Sequence, residues 1–465
     1  MDEIKKIKVV VIVSIMLFSL AIVHETESKK LGNEPPIHGD WEIEGGEYYF
    51  DEVFTIDGNI TIKDGGTLTL YQTIIKIISP HPGGHTIKVE NGGELYLDTS
   101  LIKSSPNYCW QSRLSNATLA SPSIDLNAGS AHLSFWSKYM PKTTPGVVEI
   151  SENGGLTWNS LSFSAGNPGK WNFVTIDLNS SVGKVIKLRF RASSGIPTWF
   201  IDDISIPEVG FYDSGEGEIN WNAVGWIKTE NPPKNPFLFI IEKGGKVEIE
   251  GSVISGCGYE ENSPLYDHSG LWINADDALI KNSIISQCFN GIVLYDSDYA
   301  TIEGTEFSEN ENNAIFLLDA HHNSFDNCEI SHNFNGIKVF NSSLTLRMCD
   351  IYSNENDGMV VADDSAVNFD EVSIYGNKDG IKFVRWDGDA EGFHSFGNNE
   401  DGIELINCDG MRVKELKISQ NGGAGIKISG SSNVTVERCN LSSNGYGIWS
   451  NAFNNLLFHN NFIGN

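Results

Sequence analysis

The chain has 465 residues, of which 61 are Asp or Glu and 32 are Lys or Arg, so its formal net charge is −29 at pH 7. Nucleic-acid binding needs basic stripes, and the sequence has none, so this composition excludes nucleic acid as a partner. The 47 glycines, with frequent Asn, Ser and Asp between short apolar runs, predict an all-β chain with many tight turns.

Residues 1–28 have the pattern of an export segment. Lys5, Lys6 and Lys8 precede an apolar run over residues 9–23, which is shorter than the roughly 20 residues of a spanning helix. Because no clean cleavage site follows, we expect either a signal peptide or a membrane anchor, and contact with a membrane through this segment alone. The rest of the chain is then exported to the cell surface or the extracellular space. Six glycosylation sequons agree with that location: Asn59, Asn116, Asn179, Asn341, Asn433 and Asn440.

Residues 29–104 predict the first coils of a solenoid. Short alternating strands at 59–62 and 67–70 flank a Gly-Gly pair, and the same unit recurs over residues 86–97. The pattern then stops and returns only at residues 239–249. We therefore predict that a separate module interrupts the solenoid.

The inserted module is predicted over residues 105–207, where alternating apolar strands are longer than in the coils. It resembles the MAM-like jelly-roll modules of secreted proteins, and residues 151–158 are similar to an Asp-box hairpin with Asn153 in the usual Asp place. The resemblance implies a β-sandwich that serves binding or adhesion, without an active site of its own.

The main solenoid is predicted over residues 208–465. Nine units each open with a small residue followed by an aliphatic one, and successive openings stand 21 to 23 residues apart. A period this regular indicates coils that pack only on their neighbours, and no stretch has helical spacing. The nine small residues, which we call the anchors, are Gly270, Gly291, Ala314, Gly336, Gly358, Gly380, Gly402, Gly425 and Gly447.

Asparagines and cysteines recur at fixed places in these units. An Asn three or four residues before each anchor is expected to adopt the left-handed turn conformation and to hydrogen-bond along the solenoid. These are Asn310, Asn333, Asn354, Asn377, Asn399, Asn421 and Asn444. Cys328, Cys349 and Cys439 are predicted to be small core residues, whereas Cys109 and Cys257 are predicted to lie in loops where they could pair.

The repeats resemble the right-handed parallel β-helix superfamily, which includes pectate-lyase-like enzymes, alginate epimerases and NosD-type copper factors. The resemblance covers roughly residues 35–105 and 208–465. The predicted fold is an all-β, right-handed parallel β-helix with about 22 residues per coil, interrupted by the inserted module. Because unrelated functions share this scaffold, the repeat identifies architecture alone.

The second and fourth residues after each anchor are predicted to point outward. Six fourth-position residues in a row, from Tyr295 to Ile406, are apolar and form a stripe about 24 Å long. Such a stripe calls for a cover: the inserted module or the segment with Trp221 and Trp226, a partner protein, or a bound sugar. The predicted sugar-binding residues are Trp272, Tyr295, Phe316 and Phe340.

The turns after this strand carry a column of acids. Asp296, Asp298 and Asp319 form a predicted calcium site, although Asp is also a default turn residue. Asp319 with His321 and His322 makes a candidate catalytic cluster. A second candidate lies in the longer turn that begins at Arg385, with Asp387 and Asp389 as its acids.

The favoured hypothesis is an exported protein that recognises an extracellular polysaccharide or a surface protein. The enzyme hypothesis is a calcium-dependent polysaccharide lyase, epimerase or glycoside hydrolase, although the outward Lys338 and Lys382 have no carboxylate companion on their own strand. The sequence is also compatible with a NosD-like metal-handling factor, from the resemblance alone, and with a structural surface or adhesin protein. Residues 460–465 form no polar cap, so we expect more chain or a partner at that end.

Overall fold

The computed structural model describes residues 32, 35–36, 39–79, 82–104, 108–114, 116–139, 146–164, 172–192, 199–209, 211–213, 220–230, 235–260 and 269–465. The predicted export segment lies outside these residues. Within them, the helices are two short 3-10 turns, Asn179–Ser181 and Pro207–Val209, and none is long and apolar enough to cross a membrane.

Coils of three short strands stack in parallel and form three faces. The first face, which begins each coil, is one sheet of 13 strands. Its strands are β1 (Trp41–Ile43), β4 (Ile60–Ile62), β7 (Thr86–Val89), β22 (Leu238–Ile241), β25 (Gly270–Ile273), β28 (Asn290–Tyr295), β31 (Asn313–Leu318), β34 (Asn335–Phe340), β37 (Met359–Ala362), β40 (Ile381–Val384), β43 (Ile403–Ile406), β46 (Ala424–Ser429) and β49 (Tyr446–Ser450).

The second face is divided into a sheet of nine strands and a sheet of four. The nine are β2 (Gly46–Phe50), β5 (Thr67–Tyr71), β8 (Glu94–Asp98), β23 (Lys246–Glu250), β26 (Leu279–Lys281), β29 (Thr301–Glu303), β32 (Asn323–Asp326), β35 (Ser343–Arg347) and β38 (Ala366–Asp370). The four are β41 (Asp389–Ala390), β44 (Arg412–Lys414), β47 (Thr435–Glu437) and β50 (Leu456–Phe458).

The third face is again one sheet of 13 strands. They are β3 (Val53–Ile56), β6 (Ile74–Ile77), β9 (Leu101–Ser104), β24 (Val253–Ser255), β27 (Ile284–Ser286), β30 (Glu306–Ser308), β33 (Glu329–Ser331), β36 (Asp350–Tyr352), β39 (Val372–Tyr375), β42 (Phe393–Phe396), β45 (Lys417–Ser419), β48 (Asn440–Ser442) and β51 (Asn461–Ile463).

The insertion leaves the stack of coils unbroken. The strands before it pair directly with those after it, β7 with β22, β8 with β23 and β9 with β24. Between them, two six-stranded antiparallel sheets share a separate core, in which the rings of Phe135 and Phe190 meet edge to face at 5.1 Å.

The insert is built from the strands of these two sheets. One sheet holds β10 (Tyr108–Ser112), β13 (His132–Tyr139), β16 (Asn172–Asp177), β18 (Trp199–Ile206), β19 (Phe211–Asp213) and β21 (Trp226–Glu230). The other holds β11 (Thr118–Ala120), β12 (Ile124–Asp125), β14 (Val147–Ser151), β15 (Asn159–Leu161), β17 (Val185–Arg191) and β20 (Asn222–Val224). Because β19 to β21 pair within these sheets, the insert runs on to Glu230, beyond the predicted end at residue 207.

The expectation that Trp221 and Trp226 cover the apolar stripe is wrong. Both indoles are buried in the core of the insert, where Trp221 meets Phe190 at 6.0 Å and Trp226 meets Trp199 at 5.6 Å between ring centroids. The predicted Asp-box-like turn is present between β14 and β15, where Asn153 accepts the backbone N–H of Thr157 and donates to its hydroxyl.

The anchors are small because neighbouring coils approach closely there. A Cβ on Gly336 would clash with the carbonyl oxygen of Gly358 in the next coil, and one on Gly380 with that of Gly402. Residues after the anchors alternate inward and outward, and the inward ones form a continuous core of Ile, Leu, Val and Phe.

The buried asparagines form a ladder from coil to coil, with two corrections to the prediction. Each side-chain amide donates to the Asn oxygen of the next coil, for example Asn310 to Asn333 at 2.8 Å and Asn333 to Asn354 at 3.0 Å. The ladder member at its fifth place is Asn398, because Asn399 is exposed. The left-handed conformation belongs to the residue before each Asn, such as Glu309, since the Asn itself points inward.

All seven cysteines are free and buried. Cys328, Cys349 and Cys439 are core residues as predicted. The predicted loop position of Cys109 is wrong, because it lies in β10. Cys257 follows β24 and forms an isolated β-bridge with Phe237, and its Sγ atom lies 3.1 Å from that of Cys288.

Candidate functional site

The outward residues of the first face form continuous columns across the coils. The strand register places Trp272, Val293 and Phe316 side by side, followed by Lys338, and the same column extends backward through Lys88. The second-position column is therefore confirmed as a physical row. Neighbouring positions in it are about 4.8 Å apart, the spacing of hydrogen-bonded strands.

The apolar stripe is less exposed than predicted. None of its six members is fully exposed, and Ala362 is buried between Phe340 and Val384 of the adjacent coils. Val293, in the second-position column, is 0% exposed, since it lies between the larger Trp272 and Phe316. A short side chain on the outer surface of a sheet is therefore shielded from solvent when its neighbours in the adjacent coils are longer.

The four predicted sugar-binding residues form two separate ring pairs. Trp272 stacks on Tyr295 with centroids 5.8 Å apart and planes at 23°, whereas Phe316 meets Phe340 edge to face at 82°. Phe316 is only 7% exposed, and Trp272 is half-buried. The indole of Trp272 therefore offers the more accessible flat surface.

Trp272 forms one wall of a polar groove, which has a volume of about 730 Å³ and lies at the start of the first face. The groove is lined by Asp40, Asn59, Thr61, Thr86, Lys88, Ile240, Glu242, Lys243, Trp272 and Asn274. Lys88 pairs with Glu242 at 2.8 Å, and Lys243 pairs with Asp276 at 3.1 Å. The sequence did not predict this groove, because its lining comes from β4, β7, β22 and β25, and the insert separates β7 from β22 along the chain.

A half-buried charge cluster lies farther along the first face. The Lys382 ammonium is 2.7 Å from Asp357 and 2.9 Å from Asp379, the acids that precede two anchors. Lys427 reaches Asp401 at 3.0 Å and Glu404 at 2.8 Å. Burial opposes the charge on Lys382, but its hydrogen bonds with Asp357 and Asp379 outweigh burial and raise its pKa. Carboxylate companions are therefore present, supplied by the turns before the anchors and by Glu404 of the neighbouring strand β43.

Lys338 differs from the other lysines of this cluster. It lies between Phe316 and Val360 in the column and forms no ion pair with any residue in the described part of the chain. Burial lowers its pKa, an effect that the nearby Asp357 carboxylate partly opposes and that the Lys382 ammonium reinforces. A lysine in this setting loses its proton more easily than a solvated one.

The acids of the predicted calcium site accept hydrogen bonds from, or lie near, backbone and side-chain groups of other coils. Asp298 accepts the backbone N–H of His321 at 2.7 Å, Asp319 accepts the side-chain amide of Asn341 at 2.7 Å, and Asp296 lies 3.6 Å from Lys243. Among the described ranges, no three Asp, Glu, His or Cys side chains are placed to hold a metal ion. The residues present do not fit a calcium centre, because each carboxylate faces its own partner in another coil and the three do not face one common point.

The two candidate catalytic clusters lie in separate parts of the solenoid. The rings of His321 and His322 lie 6.5 Å apart, and His322 stacks on Tyr299 at 5.0 Å. Asp319 follows β31, whereas Asp387 follows β40, three strands farther along the sheet. At about 4.8 Å per strand they are roughly 14 Å apart, too far to act on one bond.

The turn that begins at Arg385 closes the core of its coil. Trp386 is buried and stacks on Phe383 with centroids 4.5 Å apart, and its Nε1 donates to the carbonyl of Ser365 at 2.6 Å. This indole lies where the second face divides between β38 and β41. Asp389 pairs with Lys414 at 2.9 Å, and Asp387 is exposed.

A family model described as a right handed beta helix region matches residues 238–393 and 390–465. Strands β22 to β51 lie in these segments, and β1 to β9 continue the same stack. The chain is thus an all-β, right-handed parallel β-helix. A search of curated protein sequences gives no significant match.

Solved structures share the architecture at low identity. A point mutant of the periplasmic alginate epimerase AlgG superposes with a TM-score of 0.52 at 13% identity, over 88% of this chain and 78% of that one. The A-module of the mannuronan C-5 epimerase AlgE6 from Azotobacter vinelandii gives 0.37 at 10% identity, over 91% of both chains. A GH87 alpha-1,3-glucanase from Streptomyces thermodiastaticus gives 0.31 at 11%, over 74% and 87%. The first likeness concerns the fold alone, and the second and third are too weak to support a comparison.

Proposed function

We propose that the chain is an exported protein that binds a polysaccharide in the groove at the start of the first face. The observation that carries this proposal is the groove itself, in which the half-buried indole of Trp272 stands beside hydroxyl, amide, carboxylate and ammonium groups. An aromatic wall with a few polar groups suits a sugar ring, which has an apolar face and a rim of hydroxyls. The proposal includes no requirement for calcium.

The charge of the groove favours a neutral polysaccharide. Its lining contains Asp40 and Glu242 against Lys88 and Lys243, so it has no surplus of positive charge. The whole chain carries a net charge of −29, which repels a polyanion over the range of a Debye length, about 8 Å at physiological salt. An acidic polymer would therefore bind more weakly, and more so at low salt.

Affinity gel electrophoresis with neutral and acidic polysaccharides tests this proposal. We expect retardation by at least one neutral polymer and about a tenfold loss of affinity for Trp272→Ala, since a buried aromatic contact is worth about 1.4 kcal/mol or more. Trp449→Ala is the matched control, because Trp449 lies in the same column at its far end and is 40% exposed. Equal losses in the two variants, or no retardation by any polymer, would contradict the proposal.

The inserted module is proposed to be a MAM-like jelly roll that adds a second contact to the polymer or to a surface protein. Support comes from its separate core and from the exposed tip of its Asp-box-like hairpin, where Leu156 is 85% exposed. Hydrogen exchange with the polymer bound separates the two regions: protection of residues 151–158 supports a contact by the insert, and protection confined to β4, β7 and β25 excludes it.

A second candidate function is proton transfer to or from the bound polymer by Lys338. The observation that favours it is a half-buried lysine that has no ion pair among the described residues and lies near the carboxylates that surround Lys382. Its lowered pKa increases the fraction of free amine, the form that can act as a base. We expect chain cleavage or epimerisation to be lost in Lys338→Gln and kept in Lys281→Gln, whose lysine pairs with Glu303 on the second face. Unchanged turnover in Lys338→Gln would remove this candidate and leave the binding proposal intact.

A further inference from the structure

Cys257 and Cys288 lie one above the other in neighbouring coils. The register of β24 with β27 pairs Val253 with Ile284 and Ser255 with Ser286, and the same offset brings the two cysteines together. Their Sγ atoms are 3.1 Å apart, and both side chains are fully buried and free. The contact therefore follows from the repeat and not from a chance approach of two loops.

These cysteines take the first two places of the column that the asparagine ladder fills farther on. The backbone N–H of Cys288 donates to Oδ1 of Asn310 at 3.0 Å, as the N–H of Asn310 does to Asn333. An Asn side chain also donates across each later junction, whereas a thiol is only a weak donor. The junction between the coils of Cys257 and Cys288 therefore lacks the strong side-chain bridge that the later coils have.

The same junction carries the longest connection between two neighbouring coils of the main solenoid. Cys257 and Cys288 are 31 residues apart, whereas the ladder asparagines follow one another at 21 to 23 residues. A covalent link across a longer segment removes more freedom from the unfolded chain. A cross-link would thus have its largest effect on this pair of coils.

From this contact we propose that Cys257 and Cys288 form a disulfide that joins the two coils when the chain folds in an oxidising compartment. Stacked strands are about 4.8 Å apart, and disulfides span Cα separations of about 4.4–6.8 Å, so the backbone need not move far. The sulfurs must approach by about 1 Å to reach a bond length of about 2.05 Å.

The oxidant is a small-molecule disulfide such as oxidised glutathione. One cysteine thiolate attacks it and releases one glutathione thiol, forming a mixed disulfide. The second cysteine then attacks the mixed disulfide, releases the second glutathione thiol and leaves the Cys257–Cys288 bond. Two protein thiols lose their hydrogens, and one disulfide is reduced to two thiols. Because both sulfurs are buried in the folded chain, the exchange takes place during folding.

The test refolds the full chain with oxidised glutathione, blocks the remaining thiols with an alkylating reagent in denaturant, and maps disulfides by peptide mass spectrometry. We expect one linked peptide that contains Cys257 and Cys288, with the other five of the seven cysteines alkylated. Seven alkylated cysteines, glutathione left on either residue, or a link confined to the other in-register pair, Cys328 and Cys349, would overturn the proposal.

Thermal unfolding gives an independent readout that does not depend on the peptide map. A reductant should lower the unfolding midpoint of the oxidised wild type and of Cys439→Ser, whose cysteine has Leu416 as its neighbour in the preceding coil. It should leave the midpoint of Cys257→Ala and of Cys288→Ala unchanged, whatever the starting stability of each variant. A reductant shift that persists in both of these variants would contradict the assignment.

Discussion

Two stretches of one column on the first face differ sharply although their backbone is the same. At the start of the face, Thr61, Lys88 and Trp272 surround an open polar groove. Farther along, Lys338 is half-buried between apolar neighbours, and the ammonium of Lys382 is surrounded by carboxylates. Both stretches belong to one continuous sheet, and the register between them shifts once, between Gly270 and Leu271.

The difference comes from the turns before the strands. Three of the later anchors, Gly358, Gly380 and Gly402, are each preceded by an acid. These acids, Asp357, Asp379 and Asp401, pair with Lys382 and Lys427 of the column. In the earlier coils, Asn59 and Thr86 border the strands and leave their polar groups facing the groove. Lys382, Lys338 and Lys88 therefore have three different environments in one column. Substitution of each by Met should change the free energy of unfolding by a different amount.

The largest effect is expected at Lys382. Lys382→Met removes the only ammonium within 3 Å of Asp357 and Asp379 among the described residues, and leaves two buried carboxylates without their counter-ion. We expect the free energy of unfolding to fall by about 3 kcal/mol, measured by urea titration with circular dichroism. Lys281→Met, which breaks an exposed pair with Glu303, should change it by less than about 0.5 kcal/mol. Similar values for the two variants would show that the cluster is solvated.

The sequence predicted the fold and its columns but not this cluster. The period of 21 to 23 residues and the period-two alternation determine which residues share a column, and the register confirms that row from Trp272 to Trp449. The prediction that Lys382 has no carboxylate companion on its own strand, β40, agrees with the structure. Its two closest carboxylates come from the turns, where a side chain can point into the core, along the stack or into solvent.

The variable direction of side chains in turns also explains the other wrong predictions. Asn398 and Asn399 are equally good turn residues, and only the backbone path decides that Asn398 points inward. The turn that begins at Arg385 was predicted as a candidate site from its charges, but its Trp386 indole fills the core where the second face divides. The repeat predicts the strands well because the same alternation of inward and outward residues recurs in every coil. Each turn, in contrast, has its own backbone conformation.

Substitution of Lys338 by Met should raise the stability, whereas the same substitution of Lys382 should lower it. Lys338→Met removes a half-buried ammonium that has no ion pair in the described part of the chain and puts an apolar group between Phe316 and Val360. We expect the free energy of unfolding at neutral pH to rise by about 1 kcal/mol. A loss of stability would mean that the ammonium makes a favourable contact that the column does not provide.

The pH dependence of the stability difference between the wild type and Lys338→Met tests whether the charge on Lys338 causes that difference. Because burial lowers the pKa of Lys338 in the folded chain below 10.5, the unfolded chain binds more protons between the two values. The stability of the wild type therefore gains a rising contribution with pH in that window, and its difference from Lys338→Met shrinks as pH approaches 10.5. Urea titrations at pH 7 and at several higher values measure the trend, and a constant difference would exclude titration of Lys338 as the cause.

The smallest effect on stability is expected at Lys88, in the groove. Its ammonium pairs with Glu242 at 2.8 Å, but the lysine side chain is 33% exposed and that of Glu242 is 41% exposed, so solvent screens the pair. Lys88→Met should change the free energy of unfolding by less than about 0.5 kcal/mol, yet weaken polysaccharide binding, because the ammonium lines the groove and can donate to sugar hydroxyls. A large loss of stability in Lys88→Met would show that the Lys88 pair contributes as much as the buried cluster of Lys382. Unchanged binding would show that the polymer does not contact Lys88.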